Sequence, residues 1–167
     1  MDALLVTKTL IAGIGATLVM DTWSQFQKRI LKIPPLNYAL VGRWMLWCLK
    51  GKFVHHTIMT TPRVWGEIVS GWVFHYLTGI LFACIPLAIS GKDWFGQAPL
   101  LAGTVTGILT MMAPFFILQP AFGFGLAASR TPRPWLARLM TFLTHLSFGI
   151  GLCIASQLLI PLLFENS

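Results

Sequence analysis

Four long apolar stretches, at residues 4–26, 68–89, 98–119 and 139–163, alternate with polar, basic segments along the 167-residue chain. Each is long enough to cross the hydrocarbon core of a bilayer, which takes about 20 mostly apolar residues of helix. Peptide groups in lipid find no water to bond, so each stretch predicts an α-helix that satisfies its own backbone. Pro86, Pro114 and Pro161 fall within or near the ends of these stretches and predict kinks. The pattern specifies an all-α integral membrane fold. It predicts four transmembrane helices in a bundle, forming a single transmembrane domain over 1–167, with loops at about 27–67 and 120–138.

The first loop carries its own pattern. In NYALVGRWMLWCLKGKF (37–53), Leu40, Val41, Trp44, Trp47 and Cys48 share one helical face, and Arg43, Lys50 and Lys52 lie near its edges. This spacing predicts a cytoplasmic helix lying in the membrane interface, with tryptophans at headgroup level. Packing against the end of the bundle is the plainer alternative. After the third stretch, QPAFGFGLAASRTPRP (119–134) begins with a helix-ending Gln-Pro and continues apolar to Ala128. It is too short for a fifth span and is expected to lie at, or re-enter, the membrane surface.

Composition confirms the class. Hydrophobic residues make up 56% of the chain and charged residues 10%, against about 25% charged in a soluble domain. The net charge of +7 raises the question of nucleic acid, and the distribution of charge answers it. Lys28, Arg29, Lys32, Arg43, Lys50, Lys52 and Arg63 follow the first stretch, and Arg130, Arg133 and Arg138 follow the third. Only Lys8 and Lys92 lie on the opposite side, so the bias is ten against two. Such segregation sets topology by the positive-inside rule, with both termini non-cytoplasmic. It also places Arg130 and Arg133, with the interfacial group, beside anionic headgroups. The expected partner is the lipid bilayer, with no nucleic acid and with a homo-oligomer or a membrane protein partner open. Asp2 precedes the first stretch without a basic residue, and no small-x-small cleavage site follows it. A retained first span, not a secretory signal, is expected. Cys48, Cys84 and Cys153 form neither a disulfide framework nor a CxxC site.

The ionisable residues inside the stretches carry the candidate chemistry. Asp21 interrupts GIGATLVMDTW (13–23), about five residues from the cytoplasmic end of the first span. His75 and His145 lie six or seven residues into the second and fourth, roughly 9–10 Å deep. Met111 and Met112 sit at similar depth on the third. Thr17, Asp21, Gln25 and Lys28 are expected to form one inward stripe of the first helix. Small residues follow both histidines at four-residue intervals, in HYLTGILFA (75–83) and HLSFGIGLC (145–153). GATLVM (15–20) matches GILTMM (107–112) more weakly. The chain therefore reads as two parallel-repeat hairpins, although chance likeness between apolar helices is common.

Several of these segments together, GATLVMDTW (15–23), LNYALVGRW (36–44), GKFVHH (51–56), QPAFGFGLAASRTP (119–132) and THLSFGIGL (144–152), resemble an uncharacterised bacterial inner-membrane family, catalogued as domain of unknown function 2938. The resemblance covers most of the chain. It implies a small multi-span protein of the bacterial inner (plasma) membrane, and it implies no activity and no residue roles.

Three functional readings follow from the residues. The first is a structural or interaction component in which Asp21, His75 and His145 form a buried polar cluster, since interhelical hydrogen bonds in membranes are modest, structural contributions. The second is small-solute or proton-coupled transport on the same three residues, because intramembrane ionisable groups are functional candidates and histidine titrates near neutrality. The third is a haem or metal redox site on His75 and His145. No HExxH, CxxCH, P-loop, GxSxG or Rossmann pattern occurs, so no cofactor is specified and an enzyme is disfavoured. His55 and His56 read as solvated loop residues.

Overall fold

A computed structural model describes residues 3–97 and 99–164. Of the residues used above, Asp2 and Ala98 lie outside the described residues, as does the side chain of Lys92. Among the described residues the chain is helical, without strands. Helix α1 (Ala3–Phe26) continues through a π-helical turn at Gln27–Leu31 and stops at Lys32, whose φ of 57° is left-handed. Helix α2 (Tyr38–Cys48) starts under an Asn37 cap, whose side chain accepts from the Ala39 N–H. Helix α3 (Glu67–Phe82) is followed after a break at Ala83 by α4 (Cys84–Ser90) and the short α5 (Trp94–Gln97). Helix α6 (Leu100–Thr110) leads to a π-helical turn at Pro114–Leu118 and to α7 (Gln119–Ala121). Helix α8 (Pro134–Ile154) leads to another at Ala155–Leu159 and to α9 (Ile160–Phe164).

Four of these runs, Ala3–Leu31, Glu67–Ser90, Leu100–Ala121 and Pro134–Leu159, are long and apolar enough to cross a membrane. They correspond to the four expected spans, and the protein is an all-α membrane protein. The boundaries differ for local reasons. The first run gains five residues through the turn at Gln27–Leu31. The fourth begins five residues early because Pro134 suits a first helical position, where its missing N–H has no partner to lose. Pro114 has no N–H for the Thr110 carbonyl, which accounts for the wide turn that begins there.

Contacts divide the chain into two units. Among the described residues, unit 1 comprises 3–35, 76–97, 99–110 and 143–164. Its helices meet at glycines. A Cβ on Gly13 of α1 would meet the Ile80 backbone of α3 at 2.6 Å, and one on Gly79 would strike the Thr17 hydroxyl. A Cβ on Gly107 of α6 would meet the His145 carbonyl of α8 at 2.6 Å, and one on Gly149 would strike that of Gly103. Gly151 of α8 lies against Ala16, and Gly15 lies against Ala155, so α1 packs on both α3 and α8. Lipid tails are as apolar as leucine, so close packing rather than hydrophobic exclusion must hold such helices together. Between them lie Ala12, Ala16, Trp94, Phe148 and Leu152, buried.

Unit 2 comprises residues 36–75 and 111–142. Here α2 lies across the first turns of α3, with Gly42 against the Glu67 carbonyl and Gly71 against that of Tyr38. The segment after α2 is tied to the FGFG segment by His55 N–H to Ala121 O (2.9 Å) and Ile58 N–H to Phe122 O (3.0 Å). Gly123, at φ 84°, lets the chain pass against the His56 carbonyl where no side chain fits. Leu40, Val41, Ile58, Ala121 and Phe122 form the core of this unit.

Candidate functional site

Asp21 lies one turn beyond Thr17 on α1 and is half-buried. Its Oδ2 accepts a hydrogen bond from the Tyr76 hydroxyl of α3 at 3.1 Å. Tyr76 was not among the residues singled out from the sequence. The available signal was its place beside His75, as a polar residue at the same depth. Thr17 itself is buried and bonds backward to the Gly13 carbonyl at 2.7 Å. The expected stripe continues differently. Ser24 and Gln27 are buried, whereas Gln25 and Lys28 are exposed.

His145, on α8, places Nδ1 2.8 Å from the Thr110 hydroxyl of α6. The same hydroxyl lies 2.8 Å from the Gly107 carbonyl. A hydroxyl has one proton, so if it is given to Gly107 the imidazole Nδ1 must carry its own. His75 is engaged by aromatic rings: it stacks on Tyr38 at 4.1 Å and meets Trp72 edge-on at 5.9 Å. Met111 is half-buried, and Met112 is 54% exposed, so Met112 is not part of an inward cluster. Among the described residues no three His, Cys, Asp or Glu side chains are grouped to hold a metal ion.

The interfacial set is placed as follows. Arg43 was expected at lipid headgroups, and the structure corrects this, since the residue is 5% exposed. Its Nε and Nη2 bond both carboxylate oxygens of Glu67 at 2.8 and 2.9 Å. Its Nη1 bonds the carbonyls of Ile58 and Thr61 at 3.2 and 3.1 Å. The physical reason is the planar fork of five donors, which fits a carboxylate and two loop carbonyls at once. The Glu67 hydrogen bonds hold the guanidinium above its ordinary pKa despite burial. Glu67 also accepts from the Val64 N–H at 3.1 Å, so one ion pair joins α2, the loop and α3. Trp44 and Trp47 are half-buried, and their indoles bond the Phe53 and Pro62 carbonyls at 2.8 and 3.1 Å. Lys50 and Lys52 are exposed, with their amines 4.8 and 5.5 Å from the Trp47 ring centre. Arg130 and Arg133 are exposed.

His55, expected to be solvated, is 2% exposed. Its Nδ1 lies 2.9 Å from the Thr61 hydroxyl, and its Nε2 is buried without a hydrogen-bond partner. Burial, aided by the nearby Lys52 charge, pushes its pKa down.

Residues 10–159 match a family model described as a protein of unknown function (DUF2938). The chain belongs to this family. The matched region contains Asp21, Tyr76, Thr110 and His145 as well as Arg43 and Glu67, so DUF2938 spans both groups of polar contacts. No curated protein and no solved structure matches the chain. Membership in DUF2938 brings no activity with it.

Proposed function

We propose that this protein is a structural or interaction component of the bacterial inner membrane, and that its intramembrane ionisable residues fasten helices together. One observation carries the reading. The bonds that Asp21 and His145 make across helices each join two helices that a glycine crossing also brings together. Asp21–Tyr76 joins α1 to α3, which also meet at Gly13 and Gly79. His145–Thr110 joins α8 to α6, which also meet at Gly149 and Gly107. The two arrangements support the repeat of two hairpins, each held by close backbone packing and one polar bond. The same reading places both termini on the non-cytoplasmic side, supported by ten of the twelve basic residues lying in the expected cytoplasmic loops.

The test compares stability with transport. Asp21→Asn and Tyr76→Phe should each lower the unfolding temperature of the purified protein, and the double variant should fall little further than either single one. The coupling expected for one such bond is about 0.6 kcal/mol, with a ceiling of about 1.7. In vesicles carrying a pH gradient, wild type and Asp21→Asn should show the same proton leak. A proton-coupled flux in wild type that disappears in Asp21→Asn, with the unfolding temperature unchanged, would overturn the structural reading in favour of transport.

A further inference from the structure

The turn that follows α2 is tied by hydrogen bonds and yet leaves its apolar side chains uncovered. Lys52 N–H bonds Trp47 O at 3.0 Å and Gly51 N–H bonds Cys48 O at 2.9 Å. With Gly51 at φ 78°, this is a Schellman-type helix end, in which the left-handed residue is normally glycine. The Trp44 indole donates to the Phe53 carbonyl, and the Trp47 indole to that of Pro62. Within this turn Leu49 is 85% exposed, Phe53 62% and Val54 68%. Lys50 and Lys52 alternate with them in sequence, and the Trp47 ring lies close to both amines.

We infer that the turn Leu49–Val54 dips into the surface of an anionic phospholipid bilayer, with Leu49, Phe53 and Val54 in the acyl boundary and Lys50 and Lys52 on headgroup phosphates. The occupant follows from the pairing of features. A pinned turn that exposes three large apolar side chains needs an apolar cover, and two ammonium groups within the same six residues require that cover to carry negative charge. Trp47 supplies the amphipathic ring suited to headgroup level. The assignment moves the interfacial element from the face of α2, whose Arg43 is buried, to the turn at its end.

The test uses the full-length protein with Phe53→Cys carrying a nitroxide, in a Cys48→Ala, Cys84→Ala background; the remaining Cys153 is buried. The labelled protein is reconstituted in phosphatidylcholine alone and in an equal mixture with phosphatidylglycerol. Collision with oxygen, which concentrates in the bilayer, is compared with collision with a water-soluble nickel chelate. Oxygen access should exceed nickel access at position 53, and more so in the anionic mixture. The same label at Arg130 serves as an exposed polar reference. Lys50→Gln with Lys52→Gln should abolish the gain from anionic lipid, as should high salt, while the unfolding temperature stays unchanged. Nickel access equal to that at position 130 would overturn the inference. So would protection from both reagents, which would mean that a protein surface covers the turn, or insertion indifferent to lipid charge and to both lysines.

Discussion

At the residue scale, two buried polar groups of unit 2 lead to opposite kinds of experiment. Arg43 and Glu67 are buried as a pair, and the loss of either charge leaves the other without compensation. Glu67→Gln should therefore cost about 3–5 kcal/mol of stability, read as a large fall in unfolding temperature. Lys50→Gln, at an exposed position, should stay within about 0.5 kcal/mol of wild type. His55 concerns protonation. Its buried, neutral ring has a lowered pKa, so between the folded value and the unfolded value near 6.5 the unfolded chain binds the extra proton. Stability from this group is complete above about pH 6.5 and is lost as pH falls through that window. Unfolding temperatures measured across this range should show an acid-side decline that His55→Gln flattens. An unchanged slope in the variant would remove His55 as the cause. Neither role was legible in the sequence. Arg43 carries the spacing of a headgroup contact, and nothing local reveals that Glu67, 24 residues away, will meet it. His55 sits in a polar, basic loop, and only the passage of the chain under Gly123 brings its neighbourhood into the interior.

At the element scale, the helix crossings make a graded prediction. Gly13→Ala places its methyl against the Ile80 backbone, which has no rotamer by which to yield. It should cost about 1–3 kcal/mol, the usual range for overpacking. Gly79→Ala meets mainly the Thr17 hydroxyl, so pairing it with Thr17→Ala should recover part of its loss. No second substitution in a side chain should rescue Gly13→Ala in that way. Denaturation of the single and double variants separates the two cases, and equal losses in Gly79→Ala with and without Thr17→Ala would refute the assignment. The helices themselves were readable, because span length and apolarity are properties of one segment at a time. The facing residues were not. Steps of four residues drift about 40° around a helix, so Gln25 leaves the face that Thr17 occupies. The wide turn from Gln27 then changes the phase again and leaves Gln27 buried where Lys28 was expected. The glycine periodicity after His75 and His145 was a sound guide, since Gly79 and Gly149 are both crossing points. The polar partners Tyr76 and Thr110 were hidden, because a tyrosine or threonine in an apolar span carries no charge to advertise it.

At the scale of the whole molecule, the charge distribution makes the last prediction. Insertion reads basic residues near the ends of emerging spans before tertiary structure exists, so Arg43 counts toward topology even though the folded protein buries it. Setting it aside leaves nine against two, and the orientation does not change. Both termini should therefore be non-cytoplasmic, and the loop containing Gly51 should be cytoplasmic. Alkaline phosphatase, active only outside the cytoplasm, should be active when fused at the C-terminus and inactive when inserted at Gly51, a site with open space around it. Green fluorescent protein exported in unfolded form should give the reverse pattern. The two reporters must disagree at every site, because one fluoresces only where the other is silent. Phosphatase activity at Gly51 with fluorescence at the C-terminus would invert the topology. It would also remove the cytoplasmic-leaflet setting in which the turn after α2 is expected to meet anionic lipid, while leaving the helix contacts in unit 1 as they are. The orientation of the chain and the fastening of its helices can thus fail independently, since one depends on where the charges fall along the sequence and the other on which glycines and hydroxyls meet.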